Sequence, residues 1–266
     1  MLCGLSYEKD MNEFKVIIST IALQIKQSLA RPMFRYCLLM NPIINAILIY
    51  EMYINRSGDN SEVFISAGLM GIWSCICFSS VGDINRERYN GTLINLFLAP
   101  CGFNLVVLGK ILGNTILSLG TLVISYITVL GVSRTAFVIY MPIRFAFNLC
   151  ITIICFTLFS MIIAYLLMLS RKTELYMNII EIPFIFVCGF AFSIEILPRP
   201  LQYISYLFAP TWCAKILKST VISDSVIDMK YYIVLLIEML LMLPIIHLLG
   251  VFVENRVRIY ATLEVN

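Results

Sequence analysis

Long uninterrupted apolar runs constrain this chain more than any other feature of its sequence. Runs of about twenty apolar residues recur along the 266 residues, and each is long enough to cross ~30 Å of hydrocarbon as a helix. Charged residues make up only 13% of the chain, whereas an ordinary soluble domain carries ~25%. We therefore predict an integral membrane protein of the all-α class with little soluble mass.

Six runs are predicted to be transmembrane helices. They cover residues 36–54, 63–81, 103–132, 145–169, 175–194 and 231–253. Proline at position 42 falls inside the first of them and is expected to kink it. The predicted organisation is an N-terminal segment (1–35), a six-span transmembrane domain (36–253) and a C-terminal tail (254–266).

Two further segments are apolar without being suited to cross a bilayer. Residues 11–31 carry apolar side chains at three- and four-residue steps, which predicts an amphipathic helix at the membrane surface that ends at Pro32. Residues 195–225 contain three prolines and several aromatic residues of the kind found at membrane interfaces. We predict short re-entrant or interfacial helices there, between spans 5 and 6, on the extracellular side.

The distribution of basic residues predicts the orientation of the spans. Six spans put both termini on one side, and twelve of the 19 Lys and Arg residues fall on that side of the predicted topology. Basic residues are enriched in cytoplasmic connections. We therefore predict that both termini and the connection between spans 2 and 3 are cytoplasmic, and we do not take the net charge of +3 as a sign of nucleic-acid binding.

The connection between spans 2 and 3, residues 83–100, interrupts the apolar pattern with the sequence DINRERYNGTLINLFLAP. Its first half is polar, Gly91 can break a helix, and Thr92 can cap the next one. Apolar residues then follow, among them Leu93, Leu96 and Phe97. The residues alone leave two interpretations open. The segment is either a solvated loop whose charges only reflect the enrichment of Lys and Arg on the cytoplasmic side, or an element whose apolar face docks in a groove of a soluble partner.

Two motifs resemble the permease subunits of ABC exporters, the six-span type-2 group that serves drug, peptide and polysaccharide export. The first motif consists of an acidic residue, then Gly-Thr-Leu, a second apolar cluster, Pro and finally Gly-Lys. The chain departs from it at Asn95, which stands where an acidic residue is common. The motif is carried here by Glu87, Gly91, Thr92, Leu93, Leu96, Pro100, Gly109 and Lys110. The second is Leu-Pro followed by Pro and an aromatic residue, carried by Leu197, Pro198, Pro210 and Trp212.

This resemblance implies an ATP-driven exporter whose ATPase lies on another chain, in a bacterial plasma (inner) membrane. No P-loop is present in the sequence, so no cofactor is expected on this chain, and ATP and Mg are expected on the partner ABC ATP-binding subunit. A second permease copy, identical or different, would complete a path for an amphipathic drug, peptide or lipid-like substrate. The implied coupling residues are Asp83, Glu87, Arg88, Gly91, Thr92, Leu93, Leu96 and Phe97.

Other chemistry has weaker support in the sequence. Ionisable residues within spans are functional candidates by default, which makes Glu181 and Glu238 candidates for the translocation path. An intramembrane enzyme would need clustered catalytic side chains, but the chain has one histidine and no paired acidic motif, so no catalytic or metal site is assigned. An ion-gradient transporter would show matched halves, and none are apparent. Gly109 and Gly113 predict close helix packing, which we expect within the chain rather than at a dimer seam.

Overall fold

The computed structural model describes residues 2–54, 60–91, 102–134, 139, 141–170, 173–221 and 229–260. These residues form helices joined by turns and short connections, with no strand among them. The predicted all-α class is therefore confirmed. The longer α-helices are α1 (Leu2–Ala30), α2 (Pro32–Ile54), α3 (Asn60–Ile76), α5 (Phe103–Ser118), α6 (Gly120–Ser133), α7 (Pro142–Met168), α8 (Thr173–Val187) and α11 (Met229–Tyr260). The shorter ones are α4 (Gly82–Tyr89), α9 (Arg199–Ser205) and α10 (Ala209–Ser219).

Five stretches of helix in the described part of the chain are long and apolar enough to cross a membrane. They are Pro32–Tyr53, Asn60–Ser80, Phe103–Ser133, Pro142–Met168 and Met229–Arg256. The remaining predicted span, span 5 (residues 175–194), corresponds to the shorter apolar helix α8, which ends seven residues before the predicted boundary. The chain is accordingly a multi-pass membrane protein.

The early end of α8 has a local cause at Gly189. This glycine has φ of +68°, a left-handed conformation that a residue with a side chain adopts at a cost. The Phe190 N–H donates to the Ile185 carbonyl at 3.1 Å, and the Gly189 N–H donates to the Phe186 carbonyl at 3.1 Å. This pair of bonds is the Schellman arrangement that closes helices, and it turns the chain into the segment that holds α9 and α10.

Helix α3 lies at the centre of the bundle, with 89% of its most apolar window buried. Helices α2, α5, α6, α8 and α10 pack around it. The fully buried Trp73 stacks on Phe184 of α8 at a centroid distance of 4.5 Å, and it also packs against Phe156 and Phe159 of α7. This aromatic cluster fixes α7 and α8 to the central helix.

Helix α3 continues into α4 without a break. The five residues Cys77–Val81 between them form a π-helical turn, in which the Ser79 hydroxyl donates to the Cys75 carbonyl at 2.6 Å. A π turn inserts an extra residue into the helix and rotates the helical turns after it. The charged helix α4 is thus a direct extension of span 2 rather than a separate surface helix.

Helix α1 lies along α5, and the predicted glycine pair forms the seam. A Cβ atom on Gly109 would lie 2.9 Å from Thr20 Cβ, and one on Gly113 would lie 3.1 Å from the Ile21 carbonyl oxygen. The two glycines therefore let the helix backbones approach closely, as predicted for packing within the chain. Two apolar side chains of α1, those of Phe14 and Ile18, are exposed.

Candidate functional site

The Asp83 carboxylate is the centre of a buried polar cluster at the junction of α1, α4 and α5. Asp83 is only 2% exposed. Its Oδ1 forms an ion pair with Arg31, which lies between α1 and α2, and a longer contact of 3.7 Å with Arg86 Nη1 one turn along α4. A carboxylate buried to this degree requires such partners, because an unpaired buried charge is strongly destabilising.

Three neutral side chains complete the cluster around Asp83. Asp83 Oδ2 accepts hydrogen bonds from the Gln24 side-chain amide of α1 and from Asn114 Nδ2 of α5, the second at 3.1 Å. Asn114 Oδ1 in turn accepts from the Ser28 hydroxyl at 2.7 Å and from Gln24 Nε2 at 3.1 Å. These contacts bind α4 to both α1 and α5 through a single hydrogen-bonded network.

The charge of Arg31 is maintained at this site despite its partial burial. Burial, and secondarily the neighbouring Arg86 cation, lowers the pKa of Arg31 to about 10. A pKa of about 10 still leaves the guanidinium protonated at neutral pH. The pair of Arg31 with Asp83 is therefore ionic. Arg31 directly precedes α2, and Asp83 is the second residue of α4, so the pair connects the starts of these two helices.

A second ion pair joins α4 to α5 one turn further along. Glu87 pairs with Lys110, and the two side chains are 18% and 12% exposed. Lys110 directly follows Gly109 of the α1–α5 seam. The acidic residue and the Gly-Lys pair of the motif therefore meet in space, although 23 residues separate them in the sequence.

Helix α4 ends at a turn made by Asn90 and Gly91. Gly91 has φ of +68°, and a Cβ atom added there would meet nothing within 4 Å. The glycine is thus required by the backbone conformation and not by lack of space. Tyr89, Asn90 and Gly91 are all exposed, so the tip of α4 projects from the bundle.

Only part of the predicted coupling element, residues 83–100, lies in the described part of the chain. The backbone of Arg88 lies in α4. Four predicted coupling residues lie outside the described part of the chain: Thr92, Leu93, Leu96 and Phe97. The described half of the element is therefore Asp83 to Gly91, in which Asp83 and Glu87 are engaged inside the bundle and the tip is exposed.

The two acidic candidates within the spans each contact a tryptophan. Glu181 of α8 is 9% exposed, and its backbone carbonyl accepts a hydrogen bond from Trp73 Nε1 at 3.2 Å. Glu238 of α11 accepts from Trp212 Nε1 of α10 at 3.1 Å. Each of the two residues thus joins a pair of helices, and these hydrogen bonds do not connect Glu181 to Glu238.

Four members of the buried cluster are not among the site residues that the sequence predicts. Periodicity places Gln24 on the polar face of the N-terminal helix. Arg31 enters the sequence-based prediction only as one of the basic residues that indicate how the chain is oriented in the membrane. Ser28 and Asn114 belong to no motif. Asn114 offers the clearest signal, because a carboxamide inside an apolar run directly after the glycine pair needs a buried partner.

The described residues hold no group of three or more His, Cys, Asp and Glu side chains that could bind a metal ion. The cluster around Asp83 also lacks a nucleophile beside a base. The contacts of the cluster tie the exposed tip of α4 to two other helices, α1 and α5.

Comparison with known proteins identifies one family. The family model described as ABC-2 type transporter matches residues 16–222, which include α1 from the seam onward, the cluster around Asp83 and both short helices α9 and α10. No curated protein matches the chain.

Proposed function

Because the chain belongs to the ABC-2 type transporter family, we propose that it is the membrane-spanning half of an ATP-driven exporter and that α4 transmits force from a separate ATP-binding subunit. The family makes the chain a permease subunit of an ABC transporter. We propose two further properties: residues 83–100 couple the permease to an ATPase, and the direction of transport is export.

The observation that carries this proposal is the burial of Asp83 in a network shared by three helices. A load applied to the tip of α4 passes through Asp83 to Arg31, and through the carboxamides to α1 and α5. Helix α4 is also continuous with α3, the central helix of the bundle. Packed interiors move as rigid bodies rather than deforming, so displacement of the tip moves α1, α3 and α5 together.

The proposed contact with the ATP-binding subunit lies beyond the tip of α4. Leu93, Leu96 and Phe97 would supply the apolar anchors of a helix seated in a groove. Arg88 would supply an oriented charge at the rim, where charges fix register more than affinity. Glu87, already paired with Lys110, would hold α4 at the angle that presents these anchors.

The wider assembly belongs to the same proposal. Two permease copies and two ATP-binding subunits would form the working unit, with ATP and Mg held by the partner subunits. The bias of Lys and Arg supports a cytoplasmic location for both termini and for the tip of α4. A bacterial plasma membrane and an amphipathic drug, peptide or lipid-like substrate are part of the proposal, with Glu181 and Glu238 as candidates along the path.

Co-purification tests this function. We expect the full chain, tagged and co-expressed with its proposed ABC ATP-binding subunit, to recover that subunit and to stimulate its ATP hydrolysis. Leu96→Asp should reduce recovery about tenfold or more, because it places a charge in an apolar contact. Leu207→Asp, a change at an exposed leucine between α9 and α10, should leave recovery unchanged. Transport by the chain alone, driven by an ion gradient, would contradict the proposal.

A further inference from the structure

A second polar site lies at the end of α3 remote from Asp83. About 20 helical residues separate Glu62, in the first turn of α3, from Asp83, which corresponds to roughly 30 Å along a helix. A cavity of about 230 Å³ opens there between the end of α2, the start of α3, the turn after α8 and helix α10. Its lining includes Tyr53, Glu62, Gly189, Glu195, Lys215 and Lys218.

The charged side chains in the cavity wall differ in how they are paired. Lys215 Nζ lies 3.1 Å from Glu195 Oε1 and also faces the rings of Tyr206 and Tyr231 at 5.6 and 5.3 Å from their centroids. Lys215 and Glu195 therefore neutralise each other. Glu62 attracts Lys218 through space, and Lys218 itself has no carboxylate within ion-pair distance among the described residues.

The Lys218 ammonium is directed at the turn that closes α8. Its Nζ donates a hydrogen bond to the Gly189 carbonyl at 2.8 Å, the one hydrogen bond that it makes within the described ranges. An ammonium carries three N–H donors. Two donors thus remain for a ligand, in a site where burial lowers the pKa of Lys218 to about 8 despite the attraction of Glu62 and Glu195.

The shape of the cavity indicates how much of a ligand it takes. Pockets that enclose a whole drug-sized molecule measure ~300–1,000 Å³, and this one is smaller. The segment that forms its wall also carries exposed apolar side chains: Ile196 follows the lining residue Glu195 directly and is 60% exposed, and Leu207, two residues before α10, is 76% exposed. A head group fits inside, while an apolar tail can lie along these side chains outside.

From this geometry we propose that the cavity binds the anionic head, a phosphate or a carboxylate, of an amphipathic molecule, with the Lys218 ammonium as its counter-ion. The two unused donors of Lys218 hydrogen-bond the head, and the anion compensates a cation that the fold has partly removed from water. The site depends on this chain alone and not on an ATP-binding partner.

Ligand-dependent thermal stabilisation of the full chain in phosphatidylcholine nanodiscs tests this site. A ligand that binds the folded state raises the apparent melting temperature, and the rise increases with the ratio of ligand concentration to dissociation constant. We expect octyl phosphate to stabilise the chain, inorganic phosphate to act only at much higher concentration, and octyltrimethylammonium to have no effect. Lys218→Met should weaken the octyl phosphate effect roughly tenfold or more, the typical loss of a charged hydrogen bond.

Lys230→Met is the matched control, because Lys230 is an exposed lysine at the start of α11 on the same side of the bundle. It should bind octyl phosphate as the unaltered chain does. Equal binding by Lys218→Met, binding of the cationic amphiphile as tight as that of octyl phosphate, or equal binding of inorganic phosphate would overturn the proposal.

The pH profile provides a second measurement if Lys218→Met fails to fold. Binding by the unaltered chain should fall as the pH rises through about 8, since the neutral amine loses its charge and the phosphate monoester, with a second pKa of about 6, does not change. Lys218→Arg should retain binding to higher pH. The other groups that face the cavity are Tyr53, Glu62, Cys188, Glu195 and Lys215, and these are the same in both proteins. Identical profiles would contradict the role of Lys218.

Discussion

Gly91→Val is expected to abolish ATP-driven export while the permease still folds and still recovers its ATP-binding partner. Gly91 has φ of +68°, and a β-branched residue is strongly disfavoured there. A Cβ atom at this position meets nothing within 4 Å, so the change strains the turn and not the packing. The turn must rearrange, which misdirects the apolar segment beyond it. When both rates are measured on the same reconstituted complex, export into vesicles should fall much further than ATP hydrolysis.

Two variants separate backbone conformation from the size of the side chain. Gly102→Val adds the same side chain at another glycine with open space around it, but there φ is −57°, so export should persist. Gly91→Asn should recover much of the lost export, because asparagine tolerates the left-handed region. Full export by Gly91→Val would show that the turn after α4 plays no part in coupling.

Asp83→Ala is expected to destabilise the permease more than any other single change at the junction of α1, α4 and α5. The substitution leaves the Arg31 cation and the amides of Gln24 and Asn114 without their common acceptor in a buried site. Breaking a buried ion pair from one side costs about 3–5 kcal/mol. Thermal unfolding in nanodiscs measures the loss, and export should fall with it because α4 is then held less firmly.

A double-mutant comparison identifies the cause of that loss. Arg31→Met combined with Asp83→Ala removes both charges, so the double variant should be less destabilised than the sum of the single changes. Glu51→Ala, at an exposed carboxylate near the end of α2, serves as the control and should be close to neutral. Additive effects at Arg31 and Asp83, or an Asp83→Ala variant as stable as the control, would show that the buried cluster is not what binds α4.

The sequence is sufficient to predict the elements whose signal is local. Apolar runs indicate the class and the approximate positions of the spans, since a membrane helix satisfies its own backbone and needs about twenty apolar residues. Gly109 and Gly113 predict close packing within the chain, and the structure pairs them with Thr20 and Ile21 of α1. The positive φ at Gly91 agrees with its predicted role as a helix break.

Features that depend on contacts between distant residues could not be predicted in the same way. Periodicity assigns Gln24 to the polar, outward face of α1, yet Gln24 is 1% exposed because its amide reaches Asp83, 59 residues away. A polar side chain that turns inward to meet another one carries no periodic signal. The continuity of α3 and α4 escapes prediction for a similar reason, because a charged stretch after an apolar run resembles the start of a loop.

The end of α8 shows a third limit. The apolar run predicts a span that continues to residue 194, but the helix stops at Val187. Hydrophobicity alone does not distinguish a helix from an apolar turn. Gly189 is the available signal, since a glycine just past a helix is typical of a left-handed cap. The cavity beside Lys218 exists because the chain turns at this glycine.

A photo-crosslink from the tip of α4 tests the central claim most directly. Tyr89 is 60% exposed at the end of α4, whereas Tyr203, on α9, is 77% exposed. Benzoylphenylalanine placed at each position in the assembled complex and irradiated should give an adduct with the ATP-binding subunit from position 89 and none from position 203. An adduct from position 203 with none from position 89, or labelling of Tyr89→Cys by an impermeant thiol reagent added outside intact cells, would contradict it.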